Sequence, residues 1–312
     1  MTRYAAIDCG TNAIRLLIAD VIDGRITDVL RRMLTVRLGE GVDATGEFTP
    51  QALERTFAAV DDYAQLITDN GVRRIRMVAT SASRDARNAE QFVQGVRDRL
   101  GIEPEVVPGD EEAELSFTGA VRGLPAVLLD SPVLVCDIGG GSTEFVRGDA
   151  HTGSITAMCS VDVGCVRMTE RHLHDDPPTP QQVDDAVASI DRILDRAFAQ
   201  VDVSDIRTFV GLAGSVTTVA ALAHALPAYD ADAIHGSVVT RAQVELVTDR
   251  LLQMTRAERA AEPVMHPGRV DVIAGGALVL RQTMRRLPID FVVASETDLL
   301  DGIVYSLAAE VA

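Results

Sequence analysis

The chain contains no lysine; all 29 of its basic residues are arginine. That excludes any chemistry built on a lysine: a P-loop phosphate lysine, a Schiff base or a pyridoxal-phosphate anchor. There is no tryptophan either. Cysteine is scarce. Cys9, Cys136, Cys159 and Cys165 form no C-x-x-C pair, which reads as a reduced, cytoplasmic chain rather than a disulfide scaffold. No apolar run approaches the length of a membrane span, and the first residues lack the apolar core of a signal peptide. Positive charge is in deficit, with 46 acidic residues giving a net charge of −17. A general nucleic-acid binder or a binder of anionic membranes is therefore not expected.

The deficit is uneven. Residues 1–101 hold 14 Arg and 14 acids, and the remainder holds 15 Arg against 32 acids. A polyanionic ligand is repelled by the C-terminal two-thirds taken as a body. It can still be met by the neutral N-terminal part or by a local arginine cluster. What the chain does have is ordinary globular material: 47% apolar and 24% charged residues over 312 positions. That is enough for sizeable cores and suggests about two domains.

Strand and helix patterns alternate. Tyr4–Asp8 and Ile14–Val21 read as strands, Asp23-Gly24 as a hairpin turn, and Ile26–Leu38 as further strand. Thr49-Pro50 opens a helix whose Leu53, Phe57, Val60, Ala64 and Ile67 recur with a 3.6-residue period. Arg74–Ala79, Val133–Ile138, Phe145–Arg147, Ile155–Val161, Thr208–Leu212 and Phe291–Ala294 read as strands. Ala89–Leu100, Gly109 to about Val121 and Gln181–Gln200 read as helices, as does the segment from Ser215 to about Ala225. The alternation indicates an α/β protein.

An internal repeat stands out. Ala6-Ile7-Asp8-Cys9-Gly10-Thr11-Asn12 leads into an aliphatic strand and then Asp23-Gly24. Val135-Cys136-Asp137-Ile138-Gly139-Gly140-Gly141-Ser142 leads into another and then Gly148-Asp149. Each copy is a strand, an Asp, a Gly-rich turn and a returning strand, as in a duplicated unit. Such turns let backbone N–H groups approach a phosphate, and the Asp can hold Mg²⁺ directly or through water. Either turn alone reads equally as an ordinary hairpin; the matched pair favours a two-sided phosphate clamp. A third Gly-rich corner, Gly211-Leu212-Ala213-Gly214-Ser215, places a helix N-terminus after a strand, suited either to an anion or to close packing. His172-Leu173-His174-Asp175 invites a metal reading, but a Pro-rich loop follows and no second cluster completes a site. Arg281, Arg285 and Arg286 recur at helical spacing and read as a solvated face.

The ordered motifs carry a more specific resemblance. They are Asp8-Cys9-Gly10-Thr11-Asn12, Gly109-Asp110-Glu111-Glu112-Ala113, Asp137-Ile138-Gly139-Gly140-Gly141-Ser142-Thr143-Glu144, Gly164-Cys165-Val166-Arg167-Met168-Thr169-Glu170, Gly211–Ser215 and Arg269–Ala277. The series resembles the exopolyphosphatase/guanosine pentaphosphate phosphatase (Ppx/GppA) family of the actin-like ATPase superfamily, over nearly the whole chain.

The resemblance implies two actin-like (ribonuclease H-like) domains with a ligand cleft between them. The first spans 1–124, with a C-terminal helix of about 298–312 packing back on it; the second spans 125–297. It implies that Glu112 is the catalytic base and Asp137 a carboxylate for metal and water. Asp8, the matching Asp of the first repeat, is expected as a second metal ligand. Asn12, Arg84, Gly139, Gly140, Gly141, Ser142, Gly214, Ser215 and Arg269 would hold phosphate. The expected cofactor is Mg²⁺, with Mn²⁺ as the alternative. The expected reaction is hydrolysis of terminal phosphoanhydride bonds of inorganic polyphosphate. Guanosine pentaphosphate is the alternative substrate, and an actin-like ATP-binding regulator or sugar kinase the reading of another class. A homodimer is the expected assembly. Like charges in the run Asp110–Glu114 are expected to act on one another. Two departures stand out: Cys9 replaces an aliphatic residue, and Ser295–Gly302 lacks a glycine that many members carry before the Leu.

Overall fold

The computed structural model describes residues 2–310 of the chain. They divide into two compact units. One runs from the N-terminus to Gly119 and takes back the segment from Leu299; the other is Ala120–Asp298.

The first unit is built on five strands: β1 (Arg3–Cys9), β2 (Ala13–Ile22), β3 (Arg25–Thr35), β4 (Arg74–Ala79) and β5 (Glu105–Val106), in the order β3-β2-β1-β4-β5. β1 to β3 form an antiparallel meander, and β4 and β5 run parallel to β1. The β2–β3 turn has φ of 50° at Asp23 and 75° at Gly24, the left-handed pair that a two-residue hairpin requires. Side chains alternate along β1. Ala5, Ile7 and Cys9 face a core with Val60, Tyr63, Phe92 and Val96 from the helices Pro50–Asp69 and Ala89–Leu100. Tyr4 and Ala6 face the opposite way, against Leu115 and the helix Leu299–Ala309. By the same period-two rule Asp8 belongs to that second face. Thr49 caps the helix Pro50–Asp69 by accepting from the Ala52 N–H, and Gly101, with φ of 68°, ends Ala89–Leu100.

The second unit repeats the plan. Its strands are β6 (Val133–Ile138), β7 (Thr143–Gly148), β8 (Ile155–Val161), β9 (Thr208–Leu212), β10 (Val238–Thr240) and β11 (Phe291–Ala294), in the order β10-β11-β9-β6-β7-β8. β6 to β8 form the meander, and β9 and β11 are parallel members. The central order β7-β6-β9 thus reproduces β2-β1-β4, so the repeat read in the sequence is a repeat of architecture. Both units are α/β and of the actin-like type expected.

Two details differ from the sequence reading. β10 is a three-residue edge strand that is not among the strands read from the sequence; three residues are too few to show a period. Arg281 is only 7% exposed and bonds Asp249 Oδ1 at 2.7 Å, while Arg286 bonds Asp191 at 2.6 Å and Asp195 at 2.9 Å. Only Arg285 of the three is exposed; Arg281 and Arg286 are drawn against the surface by carboxylates that, at Asp249 and Asp195, remain exposed, so the expected solvated face is a row of surface ion pairs. Among the described residues no helix is long and apolar enough to cross a membrane.

Candidate active site

In the first unit Asp8 is buried near the end of β1. Register places Arg15 of β2 directly opposite it, and Arg15 Nε and Nη2 reach Asp8 Oδ2 at 2.8 and 2.5 Å. The turn that follows is pinned from below. The Thr11 carbonyl accepts from Gly39 N–H at 2.8 Å, and the Asn12 carbonyl accepts from Val36 and Arg37 N–H at 3.1 and 2.9 Å.

Glu112 occupies the first turn of the helix Gly109–Gly123, where the dipole favours a carboxylate. It is 7% exposed, and Arg84 Nη1 donates to its Oε2 at 2.8 Å. Arg84 comes from the short helix Ser81–Asp85 that follows β4, and the same Nη1 also donates to the Val107 carbonyl at 2.9 Å. Both bonds use one nitrogen of a five-donor guanidinium. Glu111 turns elsewhere and bonds Arg76 at 2.5 Å. The two adjacent glutamates of the like-charge run are thus drawn to different arginines.

In the second unit Asp137 has the same place at the end of β6 that Asp8 has on β1. Its cross-strand neighbour is Glu144, seven residues on, as Arg15 is seven after Asp8. The repeats therefore match in geometry and differ in charge. Asp137 is 7% and Glu144 1% exposed, and Ser160 Oγ donates to Glu144 Oε1 at 2.7 Å. Directly opposed side chains lie about 5 Å apart, and like charges there are unfavourable by themselves; a divalent cation relieves that cost. Among the described residues no third His, Cys, Asp or Glu joins them. Mg²⁺ commonly uses one or two carboxylates, completing its shell with water and substrate phosphate. The donor pair fits such an ion. Glu144 was outside the expected site; the signal for it was its i+7 place across the turn.

The Gly139–Ser142 turn is fixed by its carbonyls. Gly139 O accepts from Cys165 N–H at 3.0 Å, and Gly140 O accepts from Val166 and Arg167 N–H at 2.9 and 3.1 Å. Gly141 O accepts from Arg167 Nε at 2.7 Å. The carbonyl side of the turn is thus committed to the start of the helix Cys165–His172. Gly164 makes this approach possible, since a Cβ there would lie 2.4 Å from Gly140 O.

The third corner also forms. β9 enters the helix Ala213–Ala223 through Ala213, whose φ of 65° is unusual for a residue with a Cβ and costs on the order of 1 kcal/mol. Gly214 lies against Arg269: a Cβ at Gly214 would be 2.4 Å from Arg269 Cζ and Nε. Arg269 Nη1 donates to Thr218 Oγ1 at 3.0 Å. Burial, and then the Arg269 charge, holds the His266 imidazole below its usual range, and His266 Nδ1 accepts from Gly268 N–H at 3.1 Å. Ser215 lies beside Gly276 and hydrogen-bonds Cys165, whose thiol is nonetheless pushed up by burial. The structure therefore brings Arg84 to Glu112 within one unit, and Gly214 to Arg269 within the other. The segment from Ser295 closes without the absent glycine, Ser295 Oγ donating to the Thr297 carbonyl at 2.8 Å.

Gly214 gives a direct test of the Arg269 contact. Gly214→Ala should not lower stability, because its φ is not left-handed and Ala is favoured over Gly in a helix by roughly 0.5–1 kcal/mol. The methyl must instead displace the guanidinium. The expected result is an unchanged or higher thermal midpoint with several-fold weaker binding of a phosphate-bearing substrate. A stable variant with the wild-type KM would show that this guanidinium position does not matter for binding.

Two α/β units of one plan, each with an Asp at a strand end before a Gly-containing turn, together with a buried Arg–Glu pair, define a phosphoryl-handling enzyme of the actin-like class. The chain belongs to the Ppx/GppA phosphatase family, whose model matches residues 17–311. It is 50% identical, over 99% of each chain, to Exopolyphosphatase 2 of Mycobacterium tuberculosis. It is 43% identical to an exopolyphosphatase-like protein of solved structure, with a TM-score of 0.97 over 100% of this chain and 99% of that one. The guanosine-5'-triphosphate,3'-diphosphate pyrophosphatase of Photobacterium profundum is 28% identical, over 98% of this chain and 59% of that relative.

Proposed function

We propose that this chain is an exopolyphosphatase that releases orthophosphate from the ends of inorganic polyphosphate. The observation that carries the reading is the Arg84–Glu112 pair. A nearly buried carboxylate is held at 2.8 Å by one nitrogen of an arginine whose other donors can take phosphate oxygens. Glu112 takes a proton from the attacking water. The water oxygen bonds the terminal phosphorus, the bond from that phosphorus to the bridging oxygen breaks, and the chain leaves one phosphate shorter. The leaving group is a stable phosphate, so positioning and charge neutralisation dominate the barrier. In the first unit Arg84 offers donors to phosphate oxygens, with Asn12 shaping its turn; in the second, Arg269 and the Gly140–Ser142 amides do so, with Gly139, Gly214 and Ser215 shaping theirs.

Asp137 and Glu144 would hold Mg²⁺, or Mn²⁺ as the alternative. Asp8, already engaged by Arg15, is the weaker of the candidate ligands. The metal would supply neutralisation of phosphate charge. Four buried free thiols suit a reducing cytoplasm. A homodimer belongs to the same proposal and is checked by mass in solution.

The reading is tested by phosphate release from polyphosphate, guanosine pentaphosphate and ATP with glucose, in parallel with Mg²⁺. Polyphosphate is expected to have the highest kcat/KM. Faster release from guanosine pentaphosphate would move the assignment to the 5'-phosphohydrolase, the activity borne by the name of the 28%-identical relative. Glucose-dependent consumption of ATP alone would indicate a kinase.

A further inference from the structure

Within the second unit a tyrosine that no motif singles out is built against a phosphate-binding candidate. Arg269 Cζ lies 5.6 Å from the ring centroid of Tyr229, inside the range of a cation–π contact. The ring is held at its far end. Its hydroxyl is 2.6 Å from Glu296 Oε1 and 2.7 Å from Thr217 Oγ1. A phenol has one proton, so Tyr229 donates to the carboxylate and accepts from the threonine. Glu296 is itself located, since its N–H donates to His235 Nδ1 at 3.2 Å, leaving His235 Nε2 to donate to the Gly123 carbonyl at 3.3 Å. Burial of the hydroxyl end, and then the Glu296 charge, pushes the phenol up to about 12, so it remains a donor across the working range. The residue as a whole is 37% exposed.

We infer that Tyr229 is a positioning residue for Arg269. The ring supports one side of the guanidinium while Gly214 leaves room beside it and Thr218 takes one donor, so the fork is fixed before substrate arrives. The Glu296–Thr217 pair sets the ring, and His235 sets Glu296. An arginine fixed in this way loses less side-chain freedom when it grips phosphate, and the benefit falls on binding more than on chemistry. The inference rests on the proposed phosphate role of Arg269.

The test uses the full chain and polyphosphate, comparing Arg269→Ala, Tyr229→Leu, Tyr229→Phe and the Tyr229→Leu/Arg269→Ala double variant. Tyr229→Leu should raise KM by roughly 2–30-fold, the range of a cation–π contact from exposed to desolvated, with kcat nearly unchanged. Tyr229→Phe keeps the ring but loses both hydroxyl bonds, so its KM should fall between that of the wild type and that of Tyr229→Leu. In the Arg269→Ala background Tyr229→Leu should add nothing. If Arg269→Ala leaves KM unchanged, the phosphate role of Arg269 fails and the inference with it. If Arg269→Ala raises KM and Tyr229→Leu does not, only the inference fails. An equal effect of Tyr229→Leu with and without Arg269 also overturns it, since the tyrosine would then act independently. Should Tyr229→Leu not fold, Glu296→Ala replaces it: release of the ring should raise KM in the wild-type background and not in Arg269→Ala, and any other result overturns the inference.

Discussion

Glu112→Gln should lower kcat by roughly 10²–10⁴ and leave KM for polyphosphate close to the wild-type value. The amide keeps the size of the side chain and can still accept the 2.8 Å bond from Arg84. What it loses is the ability to take a proton from water. Burial makes the substitution informative, because a nearly buried carboxylate leaves little room for bulk water to replace it as base. The neighbouring Glu111→Gln is the control. Glu111 bonds Arg76, which also bonds Glu105 and Ser306, so its change should move kcat by less than the change at Glu112. Full turnover of Glu112→Gln, or equal losses at both positions, would transfer the base role away from Glu112. Arg84→Ala should differ from both: it removes the proposed phosphate donor and leaves Glu112 without this guanidinium, so kcat and KM should both suffer.

Much of this arrangement is legible in the sequence because it depends on local rules. The ends of β1 and β6 could be read because apolar runs stop at Asp8 and Asp137 before Gly-containing turns. Thr49-Pro50 marks a helix start through a bond only three residues long, from Ala52 N–H to Thr49 Oγ1. Asp23-Gly24 marks a turn because few residue pairs adopt two successive left-handed conformations. The less legible part depends on partners distant in sequence. Arg84 and Glu112 are 28 residues apart, and Arg269 reaches Thr218 across 51. Helical spacing placed Arg281 and Arg286 on related faces but carried no information about Asp249 or Asp191 packing against them. Glu144 is intermediate. Strand period and turn length together oppose it to Asp137, yet register is needed to show that the residue opposite Asp8 is a base and the residue opposite Asp137 an acid.

That difference in charge between the repeats leads to the second large effect. Asp137→Asn should cost roughly 10²–10³ in kcat/KM at a fixed low Mg²⁺ concentration, the equivalent of several kcal/mol of phosphate charge left unneutralised. Part of the loss should return as Mg²⁺ is raised, because a weakened site can still be filled by mass action. Glu144→Gln should shift the Mg²⁺ dependence in the same direction, since its carboxylate is directly opposite Asp137 on one face of the sheet. Asp8→Asn should shift it less, because Arg15 already provides two bonds to Asp8 Oδ2; its main consequence should be a loosened β1–β2 turn, read as a lower thermal midpoint. The net charge of −17 does not oppose this scheme. Exposed charges are screened beyond about 8 Å at physiological salt, so the field at the substrate would be set by the nearest arginines and the proposed metal. Titrating Mg²⁺ against all three variants separates these roles. If Asp137→Asn retained the wild-type Mg²⁺ curve while Asp8→Asn did not, the metal would belong to the first repeat, and full activity of the unaltered enzyme in excess chelator would remove the metal from the reaction.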